Sequence, residues 1–221
     1  FMPLYDRVCT GDYEPMDDYT GCYISGEGKS LRWPSRDSSI FLGWYDNEEL
    51  TGNPVDSVGP DETGDKDFYA KWFNLKRPPI DPADSCYEIS DVAELYGFSA
   101  LVNGEFAEGE KRLDDVCGKL TRDIVVNKNV LKENGTLDSA REEEFFPWNT
   151  INLYNGFFDG QGHTISGLYA NEAVFYAYAP EPYDYTKVTI RNLKVKDTFV
   201  YGYHYAAGII SSYSGYRPLM E

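Results

Sequence analysis

The sequence predicts a mainly β chain of two domains, in which a small sheet precedes a right-handed parallel β-helix with an N-terminal capping helix. Three observations support this prediction. Residues 156–168 combine a glycine-rich polar turn with apolar residues at short intervals, as in one corner and one strand of a solenoid. Residues 40–72 hold aromatic, strand-forming runs, and the proline-rich segment 76–82 divides the two regions. We therefore expect domains at 1–76 and 86–221, joined by a linker at 77–85.

The first domain shows strand and turn signals in alternation. Residues 40–45 are aromatic and end at Asp46-Asn47, a turn signal, while residues 67–72 alternate between a buried and an exposed face. Such a segment predicts a small antiparallel sheet with long loops. We expect Trp44, Tyr45 and Trp72 to pack in its core, since large aromatic side chains supply most of the burial in a small sheet.

Several motifs of this domain occur in the order of a known repeat. They are Phe41-Leu42-Gly43-Trp44-Tyr45, Thr51-Gly52, Val55, Gly64-Asp65 and Phe68-Tyr69-Ala70-Lys71-Trp72. Together they resemble the Listeria–Bacteroides repeat, or internalin-type B repeat, over about residues 20–73. The resemblance implies a β-grasp-like module of bacterial surface proteins that serves as a spacer or partner-contact module. Cys22 and the acidic segment before it depart from the pattern.

That acidic segment contains Asp12, Glu14, Asp17 and Asp18 around Pro15. Calcium takes many oxygen ligands, so these carboxylates are a conceivable site. Their spacing does not match an EF-hand loop, and a solvated acidic loop is the favoured interpretation. We predict no metal and no organic cofactor.

The second domain is predicted to begin with a strand and a helix. Tyr87-Glu88-Ile89 is the short strand, and Ser90 is the expected N-cap. Apolar residues then follow at helical spacing as far as Val102, and Asn103-Gly104 supplies a stop. An open end of a β-helix exposes core and unpaired strand edges, so we expect this amphipathic helix to cover the first coil.

Short apolar runs separated by Gly and Asn predict the coils that follow. They lie at 120–127, 150–153, 165–168, 173–175, 188–195 and 206–210. Residues 132–147 carry a run of charges and are predicted to form a projecting loop. Three segments, 157–168, 190–195 and 205–210, resemble GLUG-motif β-helix repeats. Those repeats occur in large secreted and surface proteins of bacteria, including IgA-cleaving metallopeptidases. This chain has no His-Glu-x-x-His, so the resemblance implies no peptidase.

Charge excludes some partners. The net charge of −17 repels phosphate backbones and anionic membrane surfaces. No run of 18 apolar residues exists, so we expect no membrane insertion. Residue 1 is Phe, without the features of a signal peptide, which is therefore expected to be absent or already removed. A monomer is expected.

The four cysteines predict disulfides and an oxidising location. Their spacing is not that of a zinc site, and their number is even. We favour the pairs Cys9–Cys22 and Cys86–Cys117, which each close a loop within one domain. Free buried thiols are the alternative.

Candidate catalytic groups are present but match structural roles better. A polysaccharide-degrading β-helix would need paired carboxylates, or calcium with a basic residue, along one groove. The candidate acids are Asp159, Asp184 and Asp197, and the candidate bases are His163, Arg191, Lys194 and Lys196. Asp159 lies in a glycine-rich turn, where Asp is common for turn reasons alone. We therefore predict no enzyme activity.

Tyr201, Tyr203 and Tyr205 alternate and are expected to share one face of a strand. Exposed, they would form an aromatic platform for sugar rings, whereas a tyrosine ladder that shields the sheet is the simpler interpretation.

The predicted function is a non-enzymatic, extracellular module of a bacterial cell surface that acts as a spacer, in adhesion or as a presentation scaffold. Its partners would be glycans or a host or neighbouring surface protein. The alternative is a polysaccharide-binding or polysaccharide-degrading β-helix protein.

Overall fold

The fold is mainly β, as the sequence predicts. A computed structural model describes residues 2–6, 21–23, 27–177, 188–202, 208–212 and 219–220. The chain divides into two compact units, Phe1–Asn74 and Leu75–Glu221. The described residues contain twenty strands, one α-helix and one 3₁₀ helix.

The first unit contains the first six strands. They are β1 Met2–Asp6, β2 Gly21–Tyr23, β3 Lys29–Ser30, β4 Ser39–Tyr45, β5 Ser57–Val58 and β6 Lys66–Asn74. The main sheet has the order β2-β1-β6-β4, and β3 pairs with β5. Most pairs are antiparallel, but β1 and β2 are parallel, so the expectation of a wholly antiparallel sheet is wrong. Residues 7–20 connect these two strands and are long enough for the crossover that a parallel pair requires.

A β-bulge shapes the core of this unit. The pairing of β4 with β6 shifts between Phe41 and Gly43, and Gly43 has a φ of 132°. A Cβ at Gly43 would lie 2.6 Å from Cβ of Pro54, so a side chain cannot be accommodated there. The core consists of Tyr23, Leu31, Trp44, Val58 and Phe68. Tyr45 is also buried, whereas Trp72 is only half-buried, so the core prediction holds for two of its three aromatic residues.

The second unit contains the other fourteen strands. They are β7 Tyr87–Ile89, β8 Cys117–Leu120, β9 Ile124–Val125, β10 Pro147–Trp148, β11 Ile151–Asn152, β12 Phe157–Asp159, β13 Thr164–Ser166, β14 Tyr169–Ala170, β15 Phe175–Ala177, β16 Thr189–Arg191, β17 Lys194–Lys196, β18 Phe199–Val200, β19 Ile210–Ser212 and β20 Leu219–Met220. The helix α1 spans Val92–Asn103, and the 3₁₀ helix spans Ser139–Glu144.

All strand pairs of this unit are parallel, and they form four sheets. Sheet 1 has the order β20-β16-β12-β8-β7, sheet 2 β17-β13-β9, sheet 3 β10-β14-β18 and sheet 4 β11-β15-β19. The chain therefore passes through sheets 1, 2, 3 and 4 in the same order three times. We call these passes turn 1 (β8–β11), turn 2 (β12–β15) and turn 3 (β16–β19).

Apolar side chains stand above one another between the sheets. Ile124 of turn 1 pairs with Ile165 of turn 2, and Ile151 pairs with Phe175. Tyr154 joins them, fully buried, with its hydroxyl donating to the carbonyl oxygens of Val116 (2.7 Å) and Phe157 (2.8 Å). The core of the second unit is thus a column of like residues repeated at each turn.

Helix α1 lies where the sequence places it, with two differences. Its N-cap is Asp91 rather than Ser90, because the Asp91 carboxylate accepts a hydrogen bond from the Glu94 amide (2.9 Å). Ser90 instead donates through its amide and hydroxyl to the Glu94 carboxylate. Gly104 ends the helix in the left-handed conformation (φ 74°), as predicted.

The second difference is that α1 is not amphipathic. Residues 95–103 are all buried. On one side the preceding segment passes so close that a Cβ at Gly97 would lie 1.9 Å from the Lys76 carbonyl oxygen. The Lys76 amide donates to the Ala93 carbonyl (3.1 Å), and the Glu88 amide donates to that of Pro79 (2.8 Å). The proline-rich segment therefore packs within the second unit.

On another side, polar residues of α1 bind backbone groups of turn 1. The Tyr96 hydroxyl, the Ser99 hydroxyl and the Asn103 amide donate to the carbonyl oxygens of Pro147 (2.9 Å), Asn149 (2.8 Å) and Thr150 (3.0 Å), respectively. The Asn103 side-chain oxygen also accepts from the amide of Asn152 (2.8 Å). These groups flank or belong to β10 and β11, and among the described strands none pairs with this edge of β10 or β11.

Two further segments differ from the sequence prediction. Residues 188–195 form two strands rather than one, because Asn192 takes a left-handed conformation (φ 52°) that turns the chain between sheets 1 and 2. Residues 132–147 are not merely a loop, since they contain the 3₁₀ helix and the first residue of β10.

We predict that Gly97→Ala destabilises the second unit. In an exposed helix this change is stabilising, but here the added methyl group meets the Lys76 carbonyl, and overpacking of this kind costs about 1–3 kcal/mol. Urea unfolding followed by circular dichroism measures the change. Gly208→Ala is the control, because a Cβ there meets nothing within 4 Å. Equal or greater stability of Gly97→Ala would contradict the packing described here.

Candidate functional site

The candidate site is a row of aromatic side chains on the outer surface of sheet 3. Tyr169 of β14 pairs in register with Phe199 of β18, and their rings are nearly parallel, with centroids 6.4 Å apart. Tyr201 follows β18, and its ring lies 4.8 Å from that of Tyr169. Phe145 continues the row on the other side, 5.7 Å from Tyr169. We call these four residues the aromatic row.

Alternation along the strands places Tyr169 and Phe199 on the outer face, whereas Phe145, at the end of the 3₁₀ helix, is buried. Trp148 and Ala170 on the same sheet are buried, whereas Tyr169 and Phe199 are half-buried and Tyr201 is 45% exposed. The Tyr201 amide donates to the Ala170 carbonyl (2.9 Å), which fixes the residue beyond the end of the strand. The row thus presents its most accessible ring at its Tyr201 end.

A carboxylate lies beside the aromatic row. The Tyr169 hydroxyl donates to the Glu142 carboxylate, which comes from the 3₁₀ helix. Desolvation by burial, together with this hydrogen bond and the negative charge, raises the pKa of Tyr169. The phenol therefore remains a proton donor, and the carboxylate adds hydrogen-bond acceptors at the edge of the apolar surface.

Tyr201 is thus the member of the predicted tyrosine platform that can be placed. Tyr203 and Tyr205 lie outside the described residues, so their common face stays a prediction. Tyr201 contacts Tyr169 of turn 2, which in turn contacts Phe145 of turn 1. Sequence spacing could not indicate these partners, since their proximity depends on how the turns stack.

The carboxylate of Asp159, the first candidate acid, is held by hydrogen bonds to neighbouring residues. Its carboxylate accepts from the Gln161 amide (2.8 Å), the Asn192 side chain (3.1 Å) and the Arg191 guanidinium (2.9 Å). Partial burial raises the pKa of Asp159, but these hydrogen bonds outweigh it and hold the pKa below its usual value. An ionised carboxylate fixed by three donors suits the corner between sheets 1 and 2 better than proton transfer.

Of the remaining candidates, His163 and Lys194 lie next to each other, since the Lys194 amide donates to the His163 carbonyl (3.1 Å). His163 lies beside Asp123 (Nδ1 to Oδ1 3.3 Å), whose carboxylate also accepts from the Thr164 amide (2.9 Å). Lys194 and Lys196 are exposed on β17, as is Asp197 just after it. Asp184 lies outside the described residues.

The structure contains the predicted disulfide Cys86–Cys117, which joins the residue before β7 to the start of β8. The pair Cys9–Cys22 cannot be placed, because Cys9 and the Cys22 side chain lie outside the described part of the chain. The same holds for Asp12, Glu14, Asp17 and Asp18.

An ion cluster that sequence reasoning missed lies next to this disulfide. The Lys119 side chain is only 9% exposed, and its ammonium group contacts the carboxylates of Asp81, Asp84 (2.8 Å) and Glu88 (3.7 Å). The hydrogen bonds from Lys119 lower the pKa of Asp81 and of Asp84. The same two hydrogen bonds raise the pKa of Lys119. The cluster could not be predicted from the sequence, because Lys119 lies far from Asp81 and Asp84 in the chain.

The cluster belongs to a longer row of charges on sheet 1. Glu88, Lys119, Asp159 and Arg191 are register partners on β7, β8, β12 and β16. Their signs alternate across the four strands, so each charge has an opposite neighbour. Opposite charges directly across a sheet are stabilising, and like charges are not. We infer that this row specifies the register of sheet 1.

The first unit contains a cavity of about 400 Å³ with acidic walls. Its lining includes Glu48, Glu62, Asp65 and Asp67. Two of these carboxylates have local partners, since Glu48 accepts from the Tyr69 hydroxyl (3.2 Å) and Glu62 from the Gly59 amide (3.0 Å). Among the residues that the structure describes, no group of three or more His, Cys, Asp or Glu could hold a metal ion.

We predict that Lys119→Met reduces the loss of the second unit's free energy of unfolding at acidic pH. The pKa values of Asp81 and Asp84 are depressed in the folded chain, so their contribution is present above the ordinary value of 3.8 and is lost as the pH falls through the folded-state values. Without Lys119 this loss becomes smaller.

Urea unfolding at a series of pH values from about 7 down to about 3 measures this dependence. Lys132→Met is the matched control, because Lys132 forms a more exposed pair with Asp138 (3.8 Å). Parallel pH profiles for Lys119→Met and the unmodified chain would contradict the prediction.

None of the helices in the described ranges is both long and apolar enough to cross a membrane. Comparison of the chain with protein-family models, with characterised proteins and with solved structures finds no match.

Proposed function

We propose that the chain is a non-enzymatic, extracellular module of a bacterial surface protein, in which a right-handed parallel β-helix acts as a spacer and presentation scaffold. The observation that supports this most is the stacking of parallel strands in register through three turns. Each turn of such a stack supports the next, so surface loops can vary without loss of the core.

The proposed scaffold has features of a self-contained stack. One end meets α1, whose side chains satisfy the backbone groups of β10 and β11. On the outer surface of sheet 1, charged side chains form ion pairs with one another, at Glu88–Lys119 and Asp159–Arg191. We further propose that the first unit is β-grasp-like, in line with the resemblance of residues 20–73.

An extracellular location is supported by the disulfide Cys86–Cys117. Disulfides persist in oxidising compartments and are rare in the reducing cytosol. The ion cluster of Lys119 holds the same segment of chain to β8, so two different interactions anchor residues 81–86.

The location can be tested on intact cells of the source bacterium. We expect antibodies against the chain to label cells that have not been permeabilised, and a thiol-blocking reagent to leave Cys86 and Cys117 unmodified until a reductant is added. A cytosolic protein in the same cells serves as the control for permeability. Labelling only after permeabilisation, or free thiols at these positions, would contradict the proposal.

A second candidate function is carbohydrate binding by the aromatic row. It is supported by the exposed ring of Tyr201 next to Tyr169, with the Glu142 carboxylate nearby. Sugars bind through an apolar C–H face and a polar periphery, and both chemistries lie within this row.

We expect Tyr201→Ala to weaken any glycan binding at this row by roughly tenfold, the upper range for loss of one aromatic contact. A glycan array on the whole chain, followed by titration of the best ligand, measures the effect. Val125→Ala is the control, because it removes an exposed apolar side chain from another surface. Equal binding by Tyr201→Ala would exclude the aromatic row as the site.

A further inference from the structure

We propose that Trp33, in the first unit, is the centre of a separate binding site for a neutral polysaccharide. Its side chain is 80% exposed, more than any other large apolar side chain in the described ranges. An exposed indole of this kind lacks the stabilisation that burial gives a large aromatic side chain, and a ligand that covers the ring restores it.

The backbone that carries Trp33 is held in place. Leu31 is buried in the core, and its amide donates to the Asp56 carbonyl (2.8 Å). The indole nitrogen of Trp44 donates to the carbonyl oxygen of Arg32 (2.7 Å). Pro34 follows directly and has a fixed φ. Trp33 is therefore presented by a fixed segment, which lowers the entropy cost of binding.

The rings beneath Trp33 form its support. Trp33 meets Phe41 edge to face, with centroids 5.7 Å apart, and Phe41 contacts Trp72 in the same manner at 5.3 Å. The Arg36 guanidinium lies 4.7 Å from the Trp72 ring centroid and donates to the Asn74 side chain (2.6 Å). Most of the indole surface nevertheless remains open to solvent.

The surroundings of Trp33 favour a sugar over a protein partner. Exposed polar residues surround it in the chain, at Arg32, Ser35, Arg36 and Asp37. A protein-binding hot spot is enclosed by further contacts that exclude water, and a lone ring among polar groups lacks that enclosure. A pyranose combines one apolar face with a rim of hydroxyl groups, and it matches an exposed indole whose neighbours in the chain carry guanidinium, hydroxyl and carboxylate groups.

Charge favours a neutral polymer. Arg32 and Arg36 are positive and Asp37 is negative, so the neighbours of Trp33 do not select one sign. The whole chain carries −17 and repels an anionic polysaccharide, whereas a neutral chain of hexoses is indifferent to that field.

Fluorescence can report on this site because the tryptophans differ in exposure. Trp44 and Trp148 are buried and Trp72 is half-buried, so acrylamide reaches Trp33 first. We expect laminarin, mannan or xylan to protect the unmodified chain from acrylamide quenching. Polygalacturonate, an anionic polymer, is expected to protect it less. Absence of protection by all three neutral polymers, or stronger protection by polygalacturonate, would overturn the proposal.

Variants connect the protection to the indole itself. In affinity electrophoresis with the protecting polymer, Trp33→Ala is expected to bind roughly tenfold more weakly, and Trp33→Tyr to retain most of the affinity. Val125→Ala is the matched control, because it removes exposed apolar surface elsewhere, and it is expected to bind as the unmodified chain does. Unchanged binding by Trp33→Ala would overturn the proposal, as would an equal loss caused by Val125→Ala. Thermal unfolding of each variant verifies that the first unit remains folded.

Discussion

The second unit depends on one constraint, the pairing of backbone groups at the edge where turn 1 begins. An unpaired backbone group buried away from water costs as much as a lost hydrogen bond. Tyr96, Ser99 and Asn103 of α1 supply the pairing, because their spacing along the helix places them on one side and within reach of residues 147–152. A purely apolar helix would cover the core but leave these carbonyl and amide groups without partners.

Close approach of backbone segments is the second requirement of this architecture. A Cβ at Gly167 would lie 1.8 Å from the Asn127 carbonyl oxygen, so turns 1 and 2 can meet at that corner only if the residue is glycine. The Asn127 side chain then donates to the Gly167 carbonyl (2.9 Å) and accepts from the Phe146 amide (2.8 Å). Glycine and asparagine thus join successive turns, and the apolar column fills the interior between them.

Local patterns were sufficient to predict much of this fold. Propensity, capping residues and apolar spacing agree between residues 87 and 104. The sequence therefore predicts the strand Tyr87–Ile89 and the helix that ends at Gly104. The disulfide Cys86–Cys117 followed from the even number of cysteines and from pairing them within each predicted domain. At 188–195 the same method failed, since apolar residues on both sides of Asn192 suggest a single strand, whereas the left-handed conformation of Asn192 divides the segment.

Contacts between turns could not be predicted from the sequence. The aromatic row joins Phe145, Tyr169 and Tyr201, which lie on three turns and share no local pattern. Nothing in the sequence distinguishes Lys119 from other lysines on strands, because its partners Asp81 and Asp84 approach it only in the folded chain. The polar residues of α1 were equally hidden, because buried Tyr, Ser and Asn on a helix have meaning only when their backbone partners are known.

Amide hydrogen exchange in an Asn103→Leu variant tests most directly whether the helix terminates the stack. The substitution keeps a side chain of similar size but removes both hydrogen bonds to turn 1. We expect the amides of Ile151, Asn152 and Tyr154 to exchange faster than in the unmodified chain, since α1 holds that edge closed. Asn171→Leu, an exposed change, serves as the control. Unaltered protection at these three amides in Asn103→Leu would contradict the account.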